Sequence, residues 1–190
     1  MNKIAIGLRF VPYVESKHLK SHFLGMPLLP ATLAEELNKD NIIFLGQIFL
    51  PDIAALDIEN RLPHEGYLYF FFDTSNTTRA LKPIVRYSKE EPKVLVEGFN
   101  ESVDLDLYRG IDIPRGVEFY EVDEDDDGCK LLGYPCDWNY MEKPKNPLLL
   151  SISHFDEELD FLPELDGYTY IFFGPKGHEF DGAYGFYEYS

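Results

Sequence analysis

Cysteine is scarce, tryptophan scarcer, and positive charge is half as abundant as negative. The 190 residues hold two cysteines, Cys129 and Cys136, one tryptophan, and 17 Lys and Arg against 34 Asp and Glu. The spacing Cys-x6-Cys matches no usual zinc pattern and no second ligand pair lies nearby, so neither a structural metal nor a disulfide framework is expected. A chain of this length buries about 70% of its unfolded surface without such staples. No apolar run approaches the roughly 20 residues of a membrane span. The net charge of −17 repels nucleic acid and anionic membranes. Nucleophile and phosphate-binding signatures are also missing: there is no Gly-x-Ser-x-Gly and no P-loop. No cofactor and no catalytic residue is therefore expected.

At the start of the chain, Ile4, Ile6, Leu8 and Phe10 alternate with smaller or polar neighbours, and Arg9 interrupts the apolar stretch. Period two predicts a strand over 3–11 in place of a secretory signal. The expectation is a cytoplasmic chain with both thiols reduced.

Sliding the chain along itself brings three blocks into line in the same order. Leu24-Gly25-Met26-Pro27 returns as Leu132-Gly133-Tyr134-Pro135, an offset of 108. Ile43-Phe44-Leu45-Gly46-Gln47-Ile48 matches Pro147-Leu148-Leu149-Leu150-Ser151-Ile152 at 104, and the run 66–72 matches 167–173 at 101. The first block predicts a turn, because proline fixes its own φ and biases the residue before it. The second reads as a buried strand. In the third, Tyr67, Tyr69 and Phe71 point one way and Leu68, Phe70 and Phe72 the other, so the strand belongs inside a sheet covered on both faces. The fold class expected is α+β: β-rich, internally duplicated, with mostly antiparallel sheets and a few short helices. A single domain of two similar halves, 21–88 and 129–190, is joined by an acidic connector, 89–128. Further strands are expected at 83–87, 93–97, 117–122 and 183–189. Helices are expected at 31–37, 52–59 and 156–161.

The negative charge is not spread evenly. Residues 1–88 are neutral, while 89–128 carry 4 bases and 14 acids and 129–190 carry 4 and 11. A field of this kind steers a basic partner inward. Its densest point, Asp123-Glu124-Asp125-Asp126-Asp127-Gly128, opens like a calcium loop, but Tyr134 stands where the bidentate Glu is needed, so a solvated acidic loop is expected. Asp123, Glu124, Asp125, Asp126 and Asp127 are the candidate partner-binding residues. Gln47 and Ser151 occupy matching repeat positions, and His154 and His178 follow the second and third apolar runs; these four are the candidate ligand-binding residues. His18 and His22 lie four apart but enclose no glutamate, and read as surface or packing histidines.

The run from Ser21 to Pro30, the segment 43–48, the segment 66–72, and in the second half Lys130-Leu131-Leu132-Gly133-Tyr134-Pro135 and Leu148 to Ile152, resemble the YwqG-like family, a bacterial domain of unknown function. The chain departs from that pattern where a Gly-Gly pair becomes Leu24-Gly25 and Leu132-Gly133, and where a Leu-Gln-Ile becomes Leu150-Ser151-Ile152. The resemblance implies an α+β fold with a duplicated β-rich core and no established catalytic residues. It also implies a setting among secreted toxins and their immunity proteins. Two functions are expected from these observations. One is a non-enzymatic acidic module, immunity- or antitoxin-like, that binds a basic protein such as a toxin. The alternative is a small-molecule binder or enzyme with a pocket between the two halves.

Overall fold

The computed structural model describes residues 4–37, 40–75, 82–96, 110–135, 144–153 and 167–189. One antiparallel sheet of ten strands dominates it. In space their order is β12 (Tyr184–Tyr189), β11 (Gly167–Phe172), β10 (Leu148–Ser153), β9 (Lys130–Leu131), β1 (Ile4–Pro12), β8 (Arg115–Asp123), β2 (His22–Phe23), β4 (Ile42–Phe49), β5 (Tyr67–Asp73) and β6 (Lys82–Ser88). The sheet curls until its two end strands meet: a Cβ placed on Gly185 of β12 would stand 3.0 Å from the Pro83 ring of β6. Tyr87 and Phe180 pack ring to ring across this seam at 5.5 Å. Proline suits the rim, since it withholds one donor from an edge that would otherwise invite pairing.

The nearly closed sheet encloses the main core. Ile6, Leu8 and Phe10 of β1, Phe23 of β2, Leu45 of β4, Leu68, Phe70 and Phe72 of β5, Leu131 of β9, and Ile171 of β11 all join it. Tyr67, Tyr69 and Phe71 belong to a second cluster on the other face. That division is the period-two split expected for β5. Six of its seven residues are buried, and each large apolar side chain so placed contributes about 1.5–3 kcal/mol. The second cluster is covered by α2 (Ala31–Leu37), whose Leu33, Ala34 and Leu37 share one helical face, and by Leu29 and Val96 beside the small sheet of β3 (Leu28–Leu29) and β7 (Val94–Leu95).

The middle of the sheet is the long ladder of β1 on β8, in register from Ile4 opposite Asp123 to Pro12 opposite Arg115. Outward from it run two flanks with matching registers. On one side Gly116 pairs with His22, His22 with Gln47, and Gln47 with Tyr69. On the other Gly7 pairs with Lys130, Lys130 with Ser151, and Ser151 with Tyr170. A bulge interrupts β4 between Phe44 and Gly46 and β10 between Leu148 and Leu150. β1 and β8 lie outside the ranges 21–88 and 129–190, and the segment 89–128 does more than connect, because it supplies β7 and the central β8.

One expected helix is absent. Residues 50–52 make a single 3₁₀ turn, and consecutive turns follow. The Asp57 carboxylate accepts the backbone N–H groups of Arg61 and Leu62, and Asn60 adopts φ +52°. A side chain that captures the backbone this way competes with helix propagation. The expected helix at 156–161 lies outside the described residues. A short α1 (Glu15–His18) precedes β2. No helix among the described residues is long and apolar enough to cross a membrane.

Candidate binding surface

Alternation along β8 turns Glu118 and Tyr120 outward from the central ladder. Glu118 accepts from Arg9 at 2.8 Å, and the same guanidinium lies 5.7 Å from the Tyr120 ring centre. Beyond that pair the strand turns acidic. Glu121 and Asp123 are exposed, as are Asp125 and Asp127 in the following loop, while Glu124 and Asp126 are half-buried.

Backbone groups and one carboxylate, that of Asp126, hold this loop. Asp126 N–H donates to Asp123 O, and Gly128 N–H donates to the Asp126 side chain at 2.8 Å. Lys130, fully buried, donates from Nζ to Glu124 O at 2.9 Å and to Asp126 O. Tyr134 N–H also donates to Glu124 O, at 2.8 Å. The lysine thus anchors the loop through its carbonyls. Its charge sits beneath the loop, while the Glu121, Asp123, Asp125 and Asp127 side chains make no ion pair among the described residues. Among the described residues no three His, Cys, Asp or Glu side chains are grouped to hold a metal ion.

The loop borders a groove of about 530 Å³. Glu59 and Arg61 approach from the β4–β5 connection, Glu124 from the acidic loop, and Tyr134, Lys145 and Phe172 from the second flank. Gly133 brings the turn close: its φ is +82°, and a Cβ there would stand 2.5 Å from Glu124 O. Arg61 is committed, donating to Ile4 O at 2.8 Å and pairing with Glu59. A second hollow, of about 460 Å³, lies beside Lys17, Lys20 and Asp52 at the end of α1.

The four expected ligand-binding residues do not converge. Gln47 is fully buried on the outer face of the sheet; its Oε1 accepts Leu28 N–H at 2.8 Å, and its Nε2 donates to Leu19 O and Lys20 O. Ser151 is buried at the corresponding place in the other flank, with β2, β8, β1 and β9 between them. Neither lines either of these two cavities. His154 lies outside the described residues. His178 stands exposed in the β11–β12 loop, where the hydrogen bond its ring donates to the Asp181 carboxylate raises its pKa above the ordinary imidazole value. Lys130, which anchors the loop, and Tyr134, which lines the groove, are not among the residues expected from the sequence. The one signal for Lys130 was a charged residue inside an otherwise apolar block, aligned with His22.

No family model, no curated protein and no solved structure matches this chain.

Proposed function

We propose that this chain is a non-enzymatic binding module that captures a basic protein, in the manner of an immunity protein and its toxin, and that it is YwqG-like. One observation carries the reading: the exposed carboxylates of Glu121, Asp123, Asp125 and Asp127 have no ion-pair partner among the described residues, while Lys130 beneath them donates to the Glu124 and Asp126 carbonyls. Unneutralised charge of one sign on a rigid strand and an anchored loop accelerates encounter with the opposite sign. The test is retention of basic proteins on the immobilised chain at low and then high salt, beside an Asp123→Lys, Asp125→Lys, Asp127→Lys variant. Salt-sensitive retention that the variant loses is expected. An empty column at low salt, or equal retention by the variant, removes the support. The alternative, a small-molecule pocket between halves, draws on the groove, whose walls come from Glu59 and Arg61 and from 133–135 and 144–148.

We further propose that the sheet arose by duplication, with the first strands of the two units exchanged. The support is the repeated register. A half-turn about a point between Arg9 and Glu118 carries the Gly7–Lys130 pair onto the Gly116–His22 pair. The two bulges correspond under the same operation, and Leu24-Gly25 and Leu132-Gly133 repeat an uncommon pair of positive φ angles. β1 then completes the second flank and β8 the first.

A further inference from the structure

We infer that the groove beside Tyr134 receives one large apolar side chain from the basic partner, flanked in the partner's sequence by Lys or Arg. This rests on the binding function proposed above. The groove's volume, about 530 Å³, accommodates a large side chain with neighbouring backbone. Three of its wall residues are prolines, Pro135, Pro144 and Pro147. Proline has no N–H, so these stretches present ring carbons in place of donors that would need satisfying. Tyr134 is 52% exposed at the rim and Phe172 lies at the floor. Half-exposed aromatic surface beside an apolar hollow is the usual make-up of an interface anchor point.

Charge selects the occupant. Arg61 is held by Glu59 and Ile4 O, which leaves Lys145 as the remaining base in the lining. Against it stand Glu124 in the lining and Asp123, Asp125 and Asp127 beside it. An apolar group carried on a basic segment gains from both features at once. A second copy of this chain, itself at −17, is repelled.

The experiment uses the full chain and two labelled heptapeptides, Lys-Lys-Gly-Phe-Gly-Lys-Lys and its counterpart with Ser for Phe, followed by fluorescence anisotropy. Both bind at low salt, and the Phe peptide binds about tenfold or more tightly, as expected for a buried ring. Raising salt weakens both and leaves their ratio standing. Tyr134→Ala shrinks the ratio towards one, while Tyr134→Phe retains it. Equal affinities on the native chain, or a Phe advantage that survives Tyr134→Ala, overturn the groove assignment. Self-association that Tyr134→Ala abolishes overturns it as well, in favour of a second copy. Failure of either peptide to bind at low salt sinks the acidic-surface reading itself, which is a separate result.

Discussion

The two flanks of the sheet share a register and differ in what lies on their outer faces. On the β2–β4–β5 side the outer face is packed shut by α2 and the β3–β7 pair, and Gln47 ties the sheet to the loop before β2 and to β3. Burial there is deep enough to leave the Tyr67 and Tyr69 hydroxyls without partners; it pushes Tyr67 up to about 12 and raises Tyr69 as well. On the β9–β10–β11 side the corresponding register positions hold Lys130 and Ser151, also buried, next to a separate buried cluster of Leu148, Tyr170 and Phe172, and a groove opens at Tyr134. Inner-face residues correspond closely: Phe23 with Leu131, Leu45 with Leu149, Phe70 with Ile171, all in one core. A shared interior constrains both flanks to one geometry, because a close-packed core tolerates little change of volume. The outer faces differ in their cover: the first lies under α2 and the β3–β7 pair, while the second holds the smaller cluster of Leu148, Tyr170 and Phe172 and carries the groove at Tyr134.

The sharpest way to break this comparison is to truncate the two matching polar residues. Gln47→Ala strands Leu28 N–H, Leu19 O and Lys20 O in a buried site, and should cost about 4 kcal/mol at roughly 1–1.5 kcal/mol for each lost bond. Ser151→Ala should cost under about 1 kcal/mol, within the range for one small buried hydroxyl. Urea denaturation of both variants decides it. Similar losses would mean that Ser151 carries a structural load equal to that of Gln47.

A smaller effect is expected from the turns. Gly133→Ala forces a Cβ to 2.5 Å from Glu124 O at φ +82°, while Gly25→Ala meets the Pro114 side chain at 2.8 Å at φ +69°. Left-handed backbone costs about 1–2 kcal/mol for a non-glycine residue, and overpacking adds about 1–3 kcal/mol. Gly133→Ala should total about 3 kcal/mol and Gly25→Ala about 2 kcal/mol, since a backbone oxygen yields less readily than a proline ring. Gly177, also at positive φ (+88°) with nothing within 4 Å, serves as the exposed control, at about 1 kcal/mol. If Gly133→Ala matches the control, the acidic loop is not held against the turn, and the groove has no fixed wall.

These comparisons also mark how far the residues alone could be read. Strand β5 was legible because six of its seven positions are apolar or aromatic, which demands two covered faces; α2 was legible from its apolar face behind Pro30. The ladder of β1 on β8 is half-legible: both strands can be seen, their pairing cannot, since partners 103 to 119 residues apart leave no local trace. The 52–59 segment misled because Pro51 suits a first helical turn, and nothing local shows that the Asp57 carboxylate will take the Arg61 and Leu62 amides. For the site, the acidic loop was visible as composition. Its anchor was not, because a lysine in sequence looks solvated until the sheet closes over it. Gln47 and Ser151 stand at matching register positions, but four strands separate them, a spacing that sequence blocks alone do not reveal.

The smallest effect expected concerns His22, the counterpart of Lys130. Its Nε2 lies 3.0 Å from Met26 O, so the ring proton sits there and Nδ1 is a bare, buried lone pair without a partner. Burial lowers its pKa below the ordinary imidazole value, with the Met26, Leu19 and His18 backbone groups opposing. The unfolded chain therefore takes up this proton more readily than the folded one. Stability is held above the unfolded value, about 6.5, and is lost as pH falls below it towards the depressed folded value. His22→Gln keeps a donor for Met26 O and removes the titration, so its stability should fall less steeply between about pH 7 and about pH 5. Thermal unfolding of both proteins across that range measures the difference. Parallel curves would show that the site tolerates an imidazolium, and with it that the first flank admits charge on its outer face as the second already does through Lys130.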